Sequence, residues 1–151
     1  LLLYNETQNV PSVNIMTGRA EHLNAIALIR NGAKKELLQI APSFIGNMKS
    51  KVTLKRVLDR GVSVKVIISK RTKENYEMIK NCIENKGEVR ELDYATISML
   101  IRDSKDFLLG VQDKDNKEER MTLFSKNKGL LIILKEAFYK MWDQAKIITL
   151  D

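Results

Sequence analysis

One cysteine and one histidine in 151 residues leave little material for thiol or metal chemistry. The lone Cys82 excludes an internal disulfide and fits a reducing compartment, so a cytoplasmic protein is expected. With only His22 beside it, the usual nitrogen and sulfur ligands cannot assemble a zinc site. Long apolar runs are missing too. The run 130–134 is five residues long, against about 20 for a membrane span, so no membrane partner is expected. Residues 1–3 are apolar but 5–8 are polar, which leaves no apolar signal core. There is no glycine-rich phosphate loop, no cofactor motif, no internal repeat and no low-complexity segment.

What the chain does have is positive charge. The net charge is +7 and the isoelectric point is near 9.5. Nine Lys or Arg residues fall in the segment 49–73 against one acid, Asp59. Such a stretch is either the footprint of a nucleic acid partner or the solvated face of a basic helix. No aromatic residue interleaves it, so a stacking platform for single strands has no support there. The length suits one domain with a sizeable core.

Residues 1–11 read as a lead-in or linker, and 12–151 as a single domain. Alternation of Val13, Ile15 and Thr17 with Asn14 and Met16 predicts a strand over 12–17. A helix then opens at Thr17-Gly18. Leu23, Ile26, Ala27 and Arg30 keep helical spacing, and Gly32 is a natural stop. The apolar run 36–41 predicts a buried strand. A helix is expected over 44–59, with Met48, Val52, Leu54, Val57 and Leu58 as its apolar stripe, and a central strand over 62–68. Thr72 is a credible N-cap for a third helix, with Tyr76, Ile79, Cys82 and Ile83 on one face and Gly87 at its end. Short strands follow at 88–92, 96–101, 107–111 and 121–124. The last helix is expected over 127–147, with Leu130, Leu134, Ala137, Phe138, Met141 and Ala145 on its stripe. Strand and helix alternate three times before a run of strands and one long helix. That order calls for an α/β fold, a mixed sheet with helices on both faces.

Within this frame, Thr96-Ile-Ser98-Met-Leu-Ile-Arg-Asp103 resembles the signature strand of the phospholipase D superfamily. That signature is a His, a Lys two residues on, and an Asp five beyond the Lys. Here Thr96 and Ser98 occupy the first two places and only Asp103 remains. Three other segments are similar to phospholipase D-like domains at the same places in the order. They are Ala33-Lys-Lys-Glu-Leu-Leu-Gln-Ile-Ala-Pro42, Leu58-Asp-Arg-Gly-Val-Ser-Val-Lys-Val-Ile-Ile68 and Gly87-Glu-Val-Arg-Glu-Leu92. Phe138-Tyr-Lys-Met-Trp142 is similar to the closing helix of the effector domains of archaeal TrmB-like transcriptional regulators, where the signature is typically degenerate. The resemblance implies a three-layer phospholipase D-like sandwich kept for sensing. It also implies a homodimer, because these folds bring two signature copies to one site. DNA would be reached through an attached N-terminal module, a winged helix, outside this chain.

The missing residues argue against hydrolysis. In that superfamily the His is the nucleophile and the Lys holds the phosphate charge. A threonine hydroxyl is not ionised near neutral pH, and Ser98 carries no charge. The lone His22 reads as a surface or partly buried helix residue, and Cys82 as a small core residue. Asp113, Asp115, Glu118 and Glu119 suggest a calcium loop, but the sixth position is not glycine and Phe124 stands at the twelfth. No metal and no cofactor are therefore expected. A ligand would sit where strand ends converge. The candidate residues are Ser43, Lys70, Arg71, Thr96, Ser98 and Asp103, which suit a small polar or anionic effector. Thr17-Gly18-Arg19 also puts a glycine at a strand-to-helix turn, where backbone N–H groups can meet an anion or simply begin a helix. The rival readings are a nucleic acid-binding module using 49–73 and, last, a phosphodiesterase or nuclease of the superfamily.

Overall fold

The computed structural model describes residues 13–112 and 120–150. Along the chain run β1 (Val13–Thr17), α1 (Arg19–Asn31), β2 (Glu36–Ile40), α2 (Met48–Asp59), β3 (Ser63–Ile68) and α3 (Tyr76–Glu84). They are followed by β4 (Glu88–Glu91), β5 (Ser98–Arg102), β6 (Asp106–Gln112), β7 (Arg120–Ser125), α4 (Lys128–Gln144) and β8 (Lys146–Ile147). The strands form one sheet in the order β1-β7-β6-β5-β2-β3-β4-β8. Only β2-β3-β4 run parallel; every other pair is antiparallel.

This topology follows from the connections. The links β2-α2-β3 and β3-α3-β4 step the same way across the sheet, and crossovers of one hand then put both helices on one face. Core residues of α1, α2 and α3 cluster there with Leu37, Val66 and Leu100. The other face is covered by α4, whose Leu131, Phe138 and Trp142 pack on Leu38, Ile67 and Phe107. A central strand covered on both faces is mostly apolar, and in β2 Leu37, Leu38 and Ile40 are buried. Gln39 in the same strand is a buried exception, and it belongs to the site.

Three helix boundaries, and positions on the faces of α2, α3 and α4, differ from the sequence reading. The helix expected from residue 44 begins at Met48, because Asn47 is the stronger cap: its Oδ1 accepts the Ser50 N–H at 2.8 Å. Phe44 instead takes a left-handed conformation, φ 51°. Met48 is 75% exposed and Val52 is also exposed; Ser50 and Thr53 take the inner positions. Thr72 does not cap α3 directly. It exchanges hydrogen bonds with Asn75, which precedes the helix, and Tyr76 is exposed. In α4 the buried seam is Leu131, Phe138 and Trp142, while Leu130 and Ala137 are exposed. The stacked Phe138 and Trp142 rings, with Arg90 over Trp142 at 4.3 Å, fix that rotation. The helix stops at Gln144, not residue 147, because Lys146–Ile147 pairs with β4. The acidic stretch considered as a calcium loop lies outside the described residues.

Candidate functional site

The end of β2, the start of β5 and the first turns of α1 converge on a cavity of about 310 Å³. Residues after β2 form one wall: Pro42, Ser43 and the turn through Phe44 to Gly46. Asn75 fixes that wall. It is fully buried, and its side-chain amide donates to the carbonyls of Ser43 (2.9 Å) and Lys70 (2.8 Å). Thr96 and Ser98 form the opposite wall with Gly110 of β6, which pairs with Ser98. Arg19, His22 and Arg30 line it from α1, Gln39 from β2, and Arg120 from the start of β7. Among the described residues, none of those lining the cavity is acidic.

His22 is the centre of this arrangement, and it corrects the expectation of a surface or partly buried side chain: it is 2% exposed. Its Nδ1 lies 2.8 Å from Thr122 Oγ1 and its Nε2 3.2 Å from Ser98 Oγ. Hydroxyls donate or accept, so either neutral tautomer is satisfied. Burial, and then the charges of Arg120 and Arg19, pull its pKa down to about 4. The imidazole is therefore neutral near pH 7. Its packing also explains Gly110. A Cβ there would come within 2.8 Å of His22 Cε1 and 3.2 Å of Ser98 Cβ.

Arg30 is more unusual. It is 2% exposed, and its guanidinium donates to Gln39 Oε1 (2.8 Å) and to the Ser50 carbonyl (3.2 Å). Among the described residues its Nε has no partner, and none of its partners is a carboxylate. Burial lowers its pKa to about 10, still well above neutrality. A buried cation is normally matched by an opposite charge. Here only neutral oxygens meet it.

Of the six residues expected at the site, Ser43, Thr96 and Ser98 line the cavity, while Lys70, Arg71 and Asp103 do not. Lys70 and Arg71 follow β3, one strand over; the Arg71 N–H donates to Glu91 Oε2. Asp103 stands at the far end of β5. Its carboxylate accepts the N–H groups of Lys34 (2.9 Å), Lys35 (2.7 Å) and Glu36 (2.9 Å). Burial alone would raise its pKa; the hydrogen bonds from Glu36, Lys34 and Lys35 outweigh it and hold the carboxyl below its ordinary range. Asp103 thus ties the turn after β5 to the start of β2, with φ 52° at the turn itself.

The sequence reading missed His22, Arg30, Gln39, Arg19 and Arg120. Two left a signal: an arginine inside the apolar periodicity of α1, and a glutamine inside an otherwise apolar central strand. Each is a polar residue at a buried position, and such groups come paired. Arg19 left only the Thr17-Gly18-Arg19 turn as a signal, and Arg120 left none, since their approach depends on β1 pairing with β7.

Three comparisons bear on this geometry. Residues 12–149 match the family model described as transcriptional regulator TrmB, EBD (effector-binding domain) N-terminal subdomain. No curated protein matches the sequence significantly. Among solved structures, the chain is similar to TrmBL2, an archaeal chromatin protein whose structure is described as showing a novel mode of DNA binding. The TM-score is 0.74 at 24% identity, over 95% of this chain and 56% of that one. The chain thus spans little more than half of that protein. It is also similar to Nuc from Salmonella typhimurium, a phospholipase D family member (TM-score 0.79, 18% identity, 93% of this chain and all of that one). NucT from Helicobacter pylori superposes with TM-score 0.75 at 17% identity, over 92% of this chain and all of that one. The fold is therefore phospholipase D-like, a mixed sheet with helices on both faces.

Proposed function

The chain belongs to the TrmB family of transcriptional regulators, and from that premise we propose that its cavity is a non-catalytic effector site. The observation that carries this reading is the cavity itself: it lies beside Thr96 and Ser98, and a buried neutral His22 bridges Ser98 to Thr122. Hydroxyls stand where a phosphodiesterase needs an imidazole and an ammonium, so the walls can bind but lack the nucleophile. His22 is no substitute. Among the described residues no carboxylate hydrogen-bonds it, and its surroundings disfavour the imidazolium a proton transfer would create.

In this reading, residues 12–151 form one sensing and dimerisation domain. A homodimer presents the effector-dependent arrangement to an attached N-terminal DNA-binding module, with residues 1–11 as lead-in. The effector biases the arrangement only by its difference in affinity between two states. Among the described residues no helix is long and apolar enough to cross a membrane.

The test is a thermal-shift screen of small polar metabolites on the native chain and on Ser98→Phe, which fills the cavity. A true effector at 100 times its Kd stabilises by about 2.7 kcal/mol, and Ser98→Phe removes that gain. If every stabilising compound works equally on both proteins, the cavity is not the effector site. The same preparations are expected not to hydrolyse a phosphodiester reporter. Turnover abolished by Asp103→Ala would restore the enzyme reading.

A second reading, direct DNA binding through 49–73, gains from the likeness to TrmBL2. Against it, several of those cations already have partners within the fold. Lys49 meets Asn24, Lys55 meets Asp59, Arg56 and Arg60 meet Asn31, and Lys65 meets Glu88. Direct binding predicts an affinity that falls steeply with salt; the effector reading predicts little DNA affinity by this chain.

A further inference from the structure

We propose that two copies of this chain pair through the free edge of β1, over an apolar face that α4 leaves bare. The proposal rests on the homodimer reading and assigns the dimer a face away from the cavity.

The sheet register shows where that face lies. Odd-numbered residues of β1, β5, β6 and β7 point to the side that carries α4, where Leu109, Leu123 and Phe107 pack. They stand in rows across the strands. The row through Ser125, Phe107 and Ile101 lies under α4, and Phe107 and Ile101 are fully buried. In the next row Leu109 and Leu123 are half-buried, and Ile15 at the edge is 58% exposed. The row after that joins Thr17, Met121 and Val111 and stands open: Met121 is 51% and Val111 56% exposed. Ile97, one residue ahead of β5, is also exposed.

The path of α4 explains the gradient. It starts after β7 and is held at its far end where Lys146–Ile147 pairs with β4, so it crosses the sheet obliquely. Lys135 reaches Glu36 at the start of β2 and Ser104 beyond β5, which turns one flank of the helix toward that end of the sheet. At 3.6 residues per turn, Leu130, Ile133 and Ala137 fall on the opposite flank, toward the open rows. All three are exposed. An apolar floor thus meets an apolar wall.

Two observations commit this face to a second copy. The first is area. Ile15, Ile97, Val111, Met121, Leu130 and Ile133 expose on the order of 100 Å² each, roughly 600 Å² together, which is at the top of what monomers show and near the ~800 Å² per partner of a stable interface. The second is the edge itself. β1 is the first strand of the sheet, so its outer backbone groups have no strand partner among the described residues. Its sequence, Val-Asn-Ile-Met-Thr, has none of the charges or prolines that keep edges from pairing. An antiparallel pair of β1 strands is two-fold, with Ile15 on the axis and Val13 opposite Thr17 of the second copy. The start of α4 lies at the Val13 end, because Val13 pairs with Ser125 and Asn127 caps the helix. Each α4 therefore comes alongside the other copy's open row, as a self-complementary interface requires. Ser98 and Thr122 face the other side of the sheet, with His22 of α1, so each copy keeps its own cavity.

The experiment is sedimentation equilibrium of the chain over a range of concentrations, with variants at exposed positions whose folding is checked by circular dichroism. The expected result is a dimer whose Kd rises at least tenfold in Ile15→Lys and in Ile133→Glu. It is expected to stay unchanged in Ile147→Lys, at the opposite edge of the sheet, and in Ile45→Lys, at the cavity rim. Ile15→Cys is expected to crosslink two copies when an oxidant is added, since the native Cys82 is fully buried; Ile147→Cys is not. A dimer indifferent to Ile15→Lys and Ile133→Glu overturns this face and leaves the homodimer standing. A dimer broken by Ile45→Lys alone moves the interface to the cavity rim. A chain that is monomeric at every concentration overturns both. If it dimerises only after residues 1–11 are removed, the lead-in covers the face and the proposal is overturned.

Discussion

Because His22 is the only histidine, the stability of this protein between pH 7.5 and 5 reports on one buried group. In the unfolded chain its pKa is the ordinary 6.5; in the fold it is about 4. Above 6.5 both states are neutral and nothing is lost. As pH falls below 6.5 the unfolded chain takes up a proton that the folded one refuses, so stability declines until the folded pKa is passed. Linkage puts the loss at roughly 2 kcal/mol by pH 5 and about 3 kcal/mol below pH 4. For a chain of this size that is a fall in Tm of roughly 4–8 °C between pH 7.5 and 5. The assay is thermal or urea unfolding across that range, with His22→Gln as control. The variant is less stable throughout, having lost its fit between Ser98 and Thr122, but its pH slope over this window is expected to be nearly flat. Equal slopes for the two proteins would refute the reasoning.

Other consequences are equally direct. Gly110→Ala puts a methyl against His22 and Ser98 and is expected to cost about 1–3 kcal/mol by urea unfolding. Asp103→Ala frees three backbone N–H groups at the opposite end of β5, so a loss of about 1–3 kcal/mol is expected with effector affinity unchanged; altered affinity would place Asp103 in the site after all. Cys82 is fully buried and its thiol is pushed up to about 12 by burial, so a thiol reagent is expected to label it only at the unfolding rate.

The sequence by itself determined the order of elements, because alternating and helical apolar spacing is a local property and the crossovers leave few topologies open. It also singled out Thr96 and Ser98 by their place in the order, and both line the cavity. Caps and helix faces were less legible. Asn47 outcompeting residue 44, and the seam of α4 turning toward Leu131 and Trp142, depend on hydrogen bonds and on the sheet each helix meets. Only the tertiary structure decided what surrounds Ser98. His22 and Arg30 share α1 but Arg120 lies far along the chain in β7, and nothing in the local spacing of either element says that they meet at one space. Charge at a site is a sum over positions, not over sequence. Five of the nine cations in the dense basic stretch 49–73 have partners within the fold, while scattered arginines from α1 and β7 line the cavity.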